Sequence, residues 1–123
     1  MQVGVRDAQV VGPTGYEIPV VPGSAVEATR SSAGGVVYGG YDQPNAMRVH
    51  LDDALIGPDA LPQVDTGARF SGLTQGVLDY SYANFKLQVT ELGQVVESTF
   101  DREVTLPNRR DAVDVATFNV ENL

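Results

Sequence analysis

The chain has no cysteine among its 123 residues. Disulfides, zinc–thiolate sites, iron–sulfur ligation and thiol nucleophiles are therefore excluded. It has no tryptophan and only one histidine, His50. Cations are few: 8 Lys and Arg stand against 16 Asp and Glu, a net charge of −8. Such a balance repels phosphate backbones and disfavours unaided nucleic-acid binding. No apolar run approaches the roughly 18 residues of a membrane span, so no membrane partner is expected. The opening "MQVGVRDAQVV" lacks a basic segment followed by an apolar one, so it does not read as a signal peptide.

What remains is a chain long enough for one modest core, with 42% hydrophobic residues. Amphipathic helical periodicity is absent, and "GSAVEATRSSAGG" (23–35) reads as a loop. Strand patterns recur instead. Val3 and Val5 alternate near the start. "YEIPVV" (16–21) holds Pro19, which suggests an edge or a bulge. "GGVVYGG" (34–40) reads as a short strand, and "MRVHLDD" (47–53) places Met47, Val49 and Leu51 on one face. The strongest pattern is "GARFSGLTQGVLDYSYANFKLQVT" (67–90), a long strand, a turn at Ala83-Asn84 and a returning strand. Leu78, Tyr80 and Tyr82 are expected on one side of it, and Phe85, Leu87 and Val89 on one side of its partner. Gly72 and Gly76 suggest bulges or bends. "QVVESTFDREVTLP" (94–107) completes about seven strands. The fold class is all-β: a small, partly open barrel of the oligonucleotide/oligosaccharide-binding (OB) type, with a β-sandwich as the alternative.

Few residues carry candidate chemistry. Ser71 and Ser81 lack a nucleophile-elbow setting, so His50 is expected to be a solvent-facing strand residue rather than part of a triad. Asp52-Asp53, with Asp42, Asn45 or Asp59, offers oxygens for a hard cation. Adjacent strand residues point to opposite faces, however, so the pair is expected to end a strand and cap a turn, and no metal site is assigned. Tyr80, Tyr82 and Phe85 with Lys86 form the candidate binding set, a stacking platform for bases or sugars. Tyr38 and Tyr41 are further candidates, with Arg48 and Arg69 as cationic helpers.

The last ten residues, "DVATFNVENL", resemble the first strand of the endonuclease/exonuclease/phosphatase superfamily, whose enzymes begin with a hydrophobic strand ending in Phe-Asn-Val, here Phe118-Asn119-Val120. "VRDAQVVGPTGYEIPVV", "RVHLDDALI" and "GVLDYSYANFKLQVT" resemble, in the same order, the region just upstream of the catalytic domain in large extracellular bacterial nucleases of that superfamily. The resemblance implies a β-barrel accessory module over 1–107, a linker over 108–113, and the start of a truncated catalytic domain over 114–123. It implies a fragment that is not itself an enzyme, cut from a secreted or cell-surface phosphodiesterase. That parent would use a divalent metal (Mg or Ca), whereas no cofactor is expected in the fragment. Asn119 would help organise the metal and phosphate site in the parent, while Glu121 does not correspond to the metal ligand. The implied partners are the downstream catalytic domain of the same chain and nucleic acid. An independent carbohydrate- or polymer-binding module is the alternative function.

Overall fold

A computed structural model describes residues 1–25, 28–42, 47–101 and 115. Among the described residues there are six strands: β1 (Gln2–Val10), β2 (Ile18–Val21), β3 (Val49–Asp52), β4 (Arg69–Ser81), β5 (Asn84–Glu91) and β6 (Gln94–Val96). They form one sheet in the order β1-β2-β3-β5-β4-β6, and a β1–β4 pairing closes the first five into a barrel. β3 and β5 run parallel and every other pair is antiparallel. β6 lies outside the ring on β4. The all-β barrel expected from the sequence is the fold.

The ring is unevenly knit. β1 pairs β4 from Gln2 to Gln9 but meets β2 only at Gln9↔Val21 and Val10↔Val20. One edge of β1 before Gln9 thus has no strand beside it among the described residues, although Arg6 O accepts the Gly23 N–H. Pro19 sits where this ladder ends. It is not on an edge strand, because β2 lies between β1 and β3. Its carbonyl accepts the Val11 N–H, so its missing N–H faces the same fading ladder and costs little there.

β4 has to serve three neighbours, and its glycines permit this. Ser71 and Gly72 lie opposite the single residue Asp7, between Arg6↔Leu73 and Ala8↔Phe70. Gly72 takes φ 85° there and Asp7 φ 48°, and Asp7 Oδ1 accepts the Gly72 N–H at 2.9 Å. This bulge bends β4 so that one edge meets β6 at 69–71 and then β5 from 75 onward. At Gly76, a Cβ would stand 2.3 Å from Gln88 O, so only glycine allows β4 and β5 to approach this closely.

The core fills the ring. Ala8, Val10, Ile18, Val20, Leu51, Phe70, Leu87 and Val89 are all buried, joined at one end by Leu61, Val64 and Ala68. Burying each large aliphatic or aromatic side chain contributes roughly 1.5–3 kcal/mol. Thr74 is fully buried too, and its hydroxyl accepts the Gly93 N–H at 3.0 Å. After β6 the chain crosses to the loops: the Phe100 ring lies so close to Gly34 and Gly67 that an added Cβ would be 2.4 and 2.5 Å from it.

Two local expectations change. Residues 34–40 form no strand: Val36 makes an isolated bridge to Arg30, and the flanking glycines favour the positive φ seen at Gly34 and Gly40 over an extended ladder. The strand expected over 94–107 is three residues long, and positions 102–107 lie outside the described residues. So do the linker over 108–113 and, apart from exposed Val115, the terminal strand over 114–123.

Candidate functional site

The β4–β5 hairpin carries the candidate binding residues. β4 and β5 pair to their ends, Tyr80↔Phe85 and Ser81↔Asn84, so Tyr82 and Ala83 alone form the turn. Both have positive φ, 50° and 60°. This is the backbone of a tight two-residue hairpin, normally made by Asn-Gly. The expected turn at Ala83-Asn84 is thus shifted by one residue. Asn84 instead braces the turn, donating Nδ2–H to Tyr82 O at 2.9 Å and accepting from Arg48 Nη2 at 2.8 Å.

That shift splits the expected platform. Gly76↔Val89, Leu78↔Leu87 and Tyr80↔Phe85 are successive pairs on one face of the ribbon. Inside the barrel this face is core, since Leu87 and Val89 are buried. Toward the tip the same face runs past the ring and becomes exposed: Leu78 is 40%, Phe85 50% and Tyr80 60% accessible. The Tyr80 and Phe85 rings touch at 4.9 Å between centroids, tilted by 58°. Tyr82, in the turn, is not on that face. Its ring lies 5.2 Å from Lys86 Nζ, and Lys86 alternates with Phe85 and Leu87 along β5. Tyr38 and Tyr41 form a separate edge-on pair in the loop before β3, 6.5 Å between centroids.

Lys86 belongs to a charged cluster on the outer wall. β3 and β5 run parallel with His50↔Lys86 and Asp52↔Gln88 in register, and Glu17 enters from just before β2. Glu17 Oε1 takes the Lys86 ammonium, and Glu17 Oε2 accepts from His50 Nδ1 at 2.6 Å. Asp52 Oδ2 is 3.4 Å from Lys86 Nζ. The Lys86 side chain is only 7% exposed. The hydrogen bond to Glu17 holds its ammonium above the ordinary 10.5, outweighing the burial that opposes the charge. Two neutralising carboxylates leave this cation little pull on a phosphate.

His50, expected to face solvent, is mostly covered, its side chain 18% exposed and bound to Glu17. A carboxylate can only accept, so Nδ1 carries the proton. Nε2, the atom a nucleophile's hydroxyl would approach, is buried with no hydrogen-bond partner among the described residues. Nothing in the sequence pattern of β3 revealed this pairing, because Glu17 lies 33 residues away.

Asp52 does end a strand: its Oδ1 caps Ala54 N–H at 2.9 Å, and the Asp53 carbonyl accepts from Ile56 and Gly57. Asp52, Asp53 and Asp59 line one hollow with Glu17. Among the described residues no group of three or more His, Cys, Asp or Glu is arranged to hold a metal. Asp42 is exposed on another loop, and Asn45 and Asn119 lie outside the described residues.

The cationic helpers do not gather. Arg48 is tied to Asn84 at the hairpin, whereas Arg69 stands at the far end of β4, opposite Gln9. Among the described residues the geometry thus offers an apolar aromatic strip, not a basic groove lined by rings.

Residues 1–97 match a protein family described as "Domain of unknown function (DUF8508)", and the chain belongs to that family. No curated protein and no solved structure matches it.

Proposed function

We propose that this member of the family is a non-catalytic, OB-type accessory module that packs, through its hairpin, against a catalytic domain following it in the same chain. The strand order β1-β2-β3-β5-β4-β1 with its single parallel pair supports the OB-type reading. The observation that carries the functional reading is the strip Leu78, Tyr80 and Phe85, which continues the core face of the ribbon beyond the barrel without cover among the described residues. Aromatic and aliphatic side chains left exposed together on a hairpin paired to its tip favour an interface. The sequence resemblance names the occupant: the catalytic domain of a secreted, divalent-metal-dependent nuclease, with Asn119 contributing to that domain's metal and phosphate site.

Packing is favoured over presenting nucleic acid. Lys86 is neutralised by Glu17 and Asp52, Arg69 is remote, and the net charge is −8. The test has two arms. Labelled single- and double-stranded DNA titrated with this chain should show weak binding; tight binding with a steep salt slope would overturn the packing role. In the longer polypeptide, a Tyr80→Ser/Phe85→Ser pair should separate one cooperative thermal transition into two. A single unchanged transition would rule out the hairpin as the contact. Saturable binding of a neutral oligosaccharide that is lost with the same pair would favour the carbohydrate-binding alternative.

A further inference from the structure

The described residues contain five cationic side chains, Arg6, Arg30, Arg48, Arg69 and Lys86. Lys86 is spent on carboxylates and Arg48 on Asn84. The other three lie on or beside β1 and the first residues of β4, and none has a carboxylate within ion-pair distance among the described residues.

Two of them, Arg6 and Arg69, line a single open hollow of about 670 Å³ between β1 and the chain leaving β2. That volume is within the roughly 300–1,000 Å³ of small-molecule sites. Gln9 and Ser24 line it as well. Arg30 Nη1 donates to Gln9 Oε1 at 3.2 Å, while its Nε is anchored on Gly34 O at 3.1 Å. Arg30 therefore fixes the Gln9 amide with its oxygen occupied and its NH₂ free to donate. Pro22 and Leu73 supply an apolar wall. Two guanidiniums, an amide donor and a hydroxyl beside an apolar wall match a tetrahedral oxyanion on a small organic body.

We propose that this hollow is a binding site for a phosphate monoester, with Arg6 and Arg69 gripping the phosphate oxygens and Gln9 and Ser24 completing the shell. The inference is independent of the packing role of the hairpin, since it uses the other end of β4. Asp7 also lines the hollow and opposes an anion, but its Oδ1 already accepts the Gly72 N–H. Asparagine keeps that bond and tolerates the positive φ of this position.

The probes are inorganic phosphate, adenosine 5′-monophosphate and adenosine, titrated into the chain and followed by amide chemical shifts and calorimetry. The monophosphate should bind saturably at micromolar to millimolar concentration, shifting the amides of Arg6, Gln9, Ser24 and Leu73. Arg6→Ala and Arg69→Ala should each weaken it by about tenfold or more. Asp7→Asn should tighten it, and Arg48→Ala should leave it unchanged. Inorganic phosphate binding as tightly as the monophosphate assigns recognition to the oxyanion alone, while weaker binding assigns a share to the apolar wall. Either result supports the site. Adenosine binding as well as its monophosphate, no saturable binding of either anion, or binding that survives both arginine substitutions in variants with unaltered circular dichroism would overturn it.

Discussion

The base and the tip of the β4–β5 ribbon follow one alternating pattern but have different surroundings. At the base, Leu87 and Val89 close the barrel. Two residues nearer the turn, Leu87 gives way to Phe85, and Leu78 to Tyr80, on the same face, and the accessible fraction rises to 50 and 60%. A run of apolar residues at period two specifies a face, but it does not specify what covers it. At the base the rest of this domain provides the cover; at the tip none of the described residues does. The aromatic residues are therefore informative because the fold stops needing them partway along a continuous strand.

The largest expected effect sets the two ends directly against each other. Leu87→Ala should destabilise the isolated chain by about 2–5 kcal/mol, since it empties part of a packed core. Phe85→Ala, two residues away, should cost only about 0.2–1 kcal/mol, the value of one cross-strand pair. Chemical denaturation of both variants checks this. Equal losses would show that the tip is part of the core and remove it as an interface. Next in size is Gly76→Ala at the base, where the added methyl meets Gln88 O at 2.3 Å. A loss of roughly 1–3 kcal/mol is expected. Ala83→Val at the tip is a test of strain instead, because a β-branched side chain is disfavoured at its φ of 60°.

How far the sequence foretold this contrast depends on the range of the interactions. The hairpin 67–90, the bulges at Gly72 and Gly76 and the barrel class were legible, because alternation and glycine placement are local signals. The turn was misplaced by one residue, since Asn84 is a better left-handed residue than Tyr82. The structure uses Asn84 as a brace and forces Tyr82 and Ala83 into positive φ. The platform then divided, because the two-residue period fails at a turn. The Glu17–His50–Lys86–Asp52 cluster was not legible at all. It joins the approach to β2 to β3 and β5, with separations of 33 and 69 residues, and rests on the parallel register of β3 and β5. The open edge of β1 with Arg6 and Arg69 was hidden for the same reason.

A smaller effect comes from the turn itself. Two non-glycine residues with positive φ, one of them an aromatic, store strain where Asn-Gly would store little. Ala83→Gly should therefore stabilise the chain by about 1 kcal/mol, raising the melting temperature by several degrees, with Tyr82 left in place. A destabilised Ala83→Gly variant would show that the conformation at 83 carries no strain and that the tip is as relaxed as the base.

The smallest effect concerns Lys86, which lies between base and tip and faces the outer wall. Its folded-state value is raised, chiefly by the hydrogen bond to Glu17. The folded chain thus holds this proton more tightly than the unfolded one, and the resulting stabilisation is complete below the unfolded value, near the ordinary 10.5. It fades as the pH climbs through the higher folded value. Replacing Lys86 by Met leaves Glu17 and Asp52 facing each other without their shared cation, so the variant should melt below the parent chain. The gap between the two melting temperatures should stay constant from neutral pH to about pH 9 and narrow only above about pH 10. A gap that narrows toward acid pH instead would mean that the carboxylates, rather than the ammonium, set the pH dependence of this wall, and a gap that never changes would mean that Lys86 contributes packing and no charge.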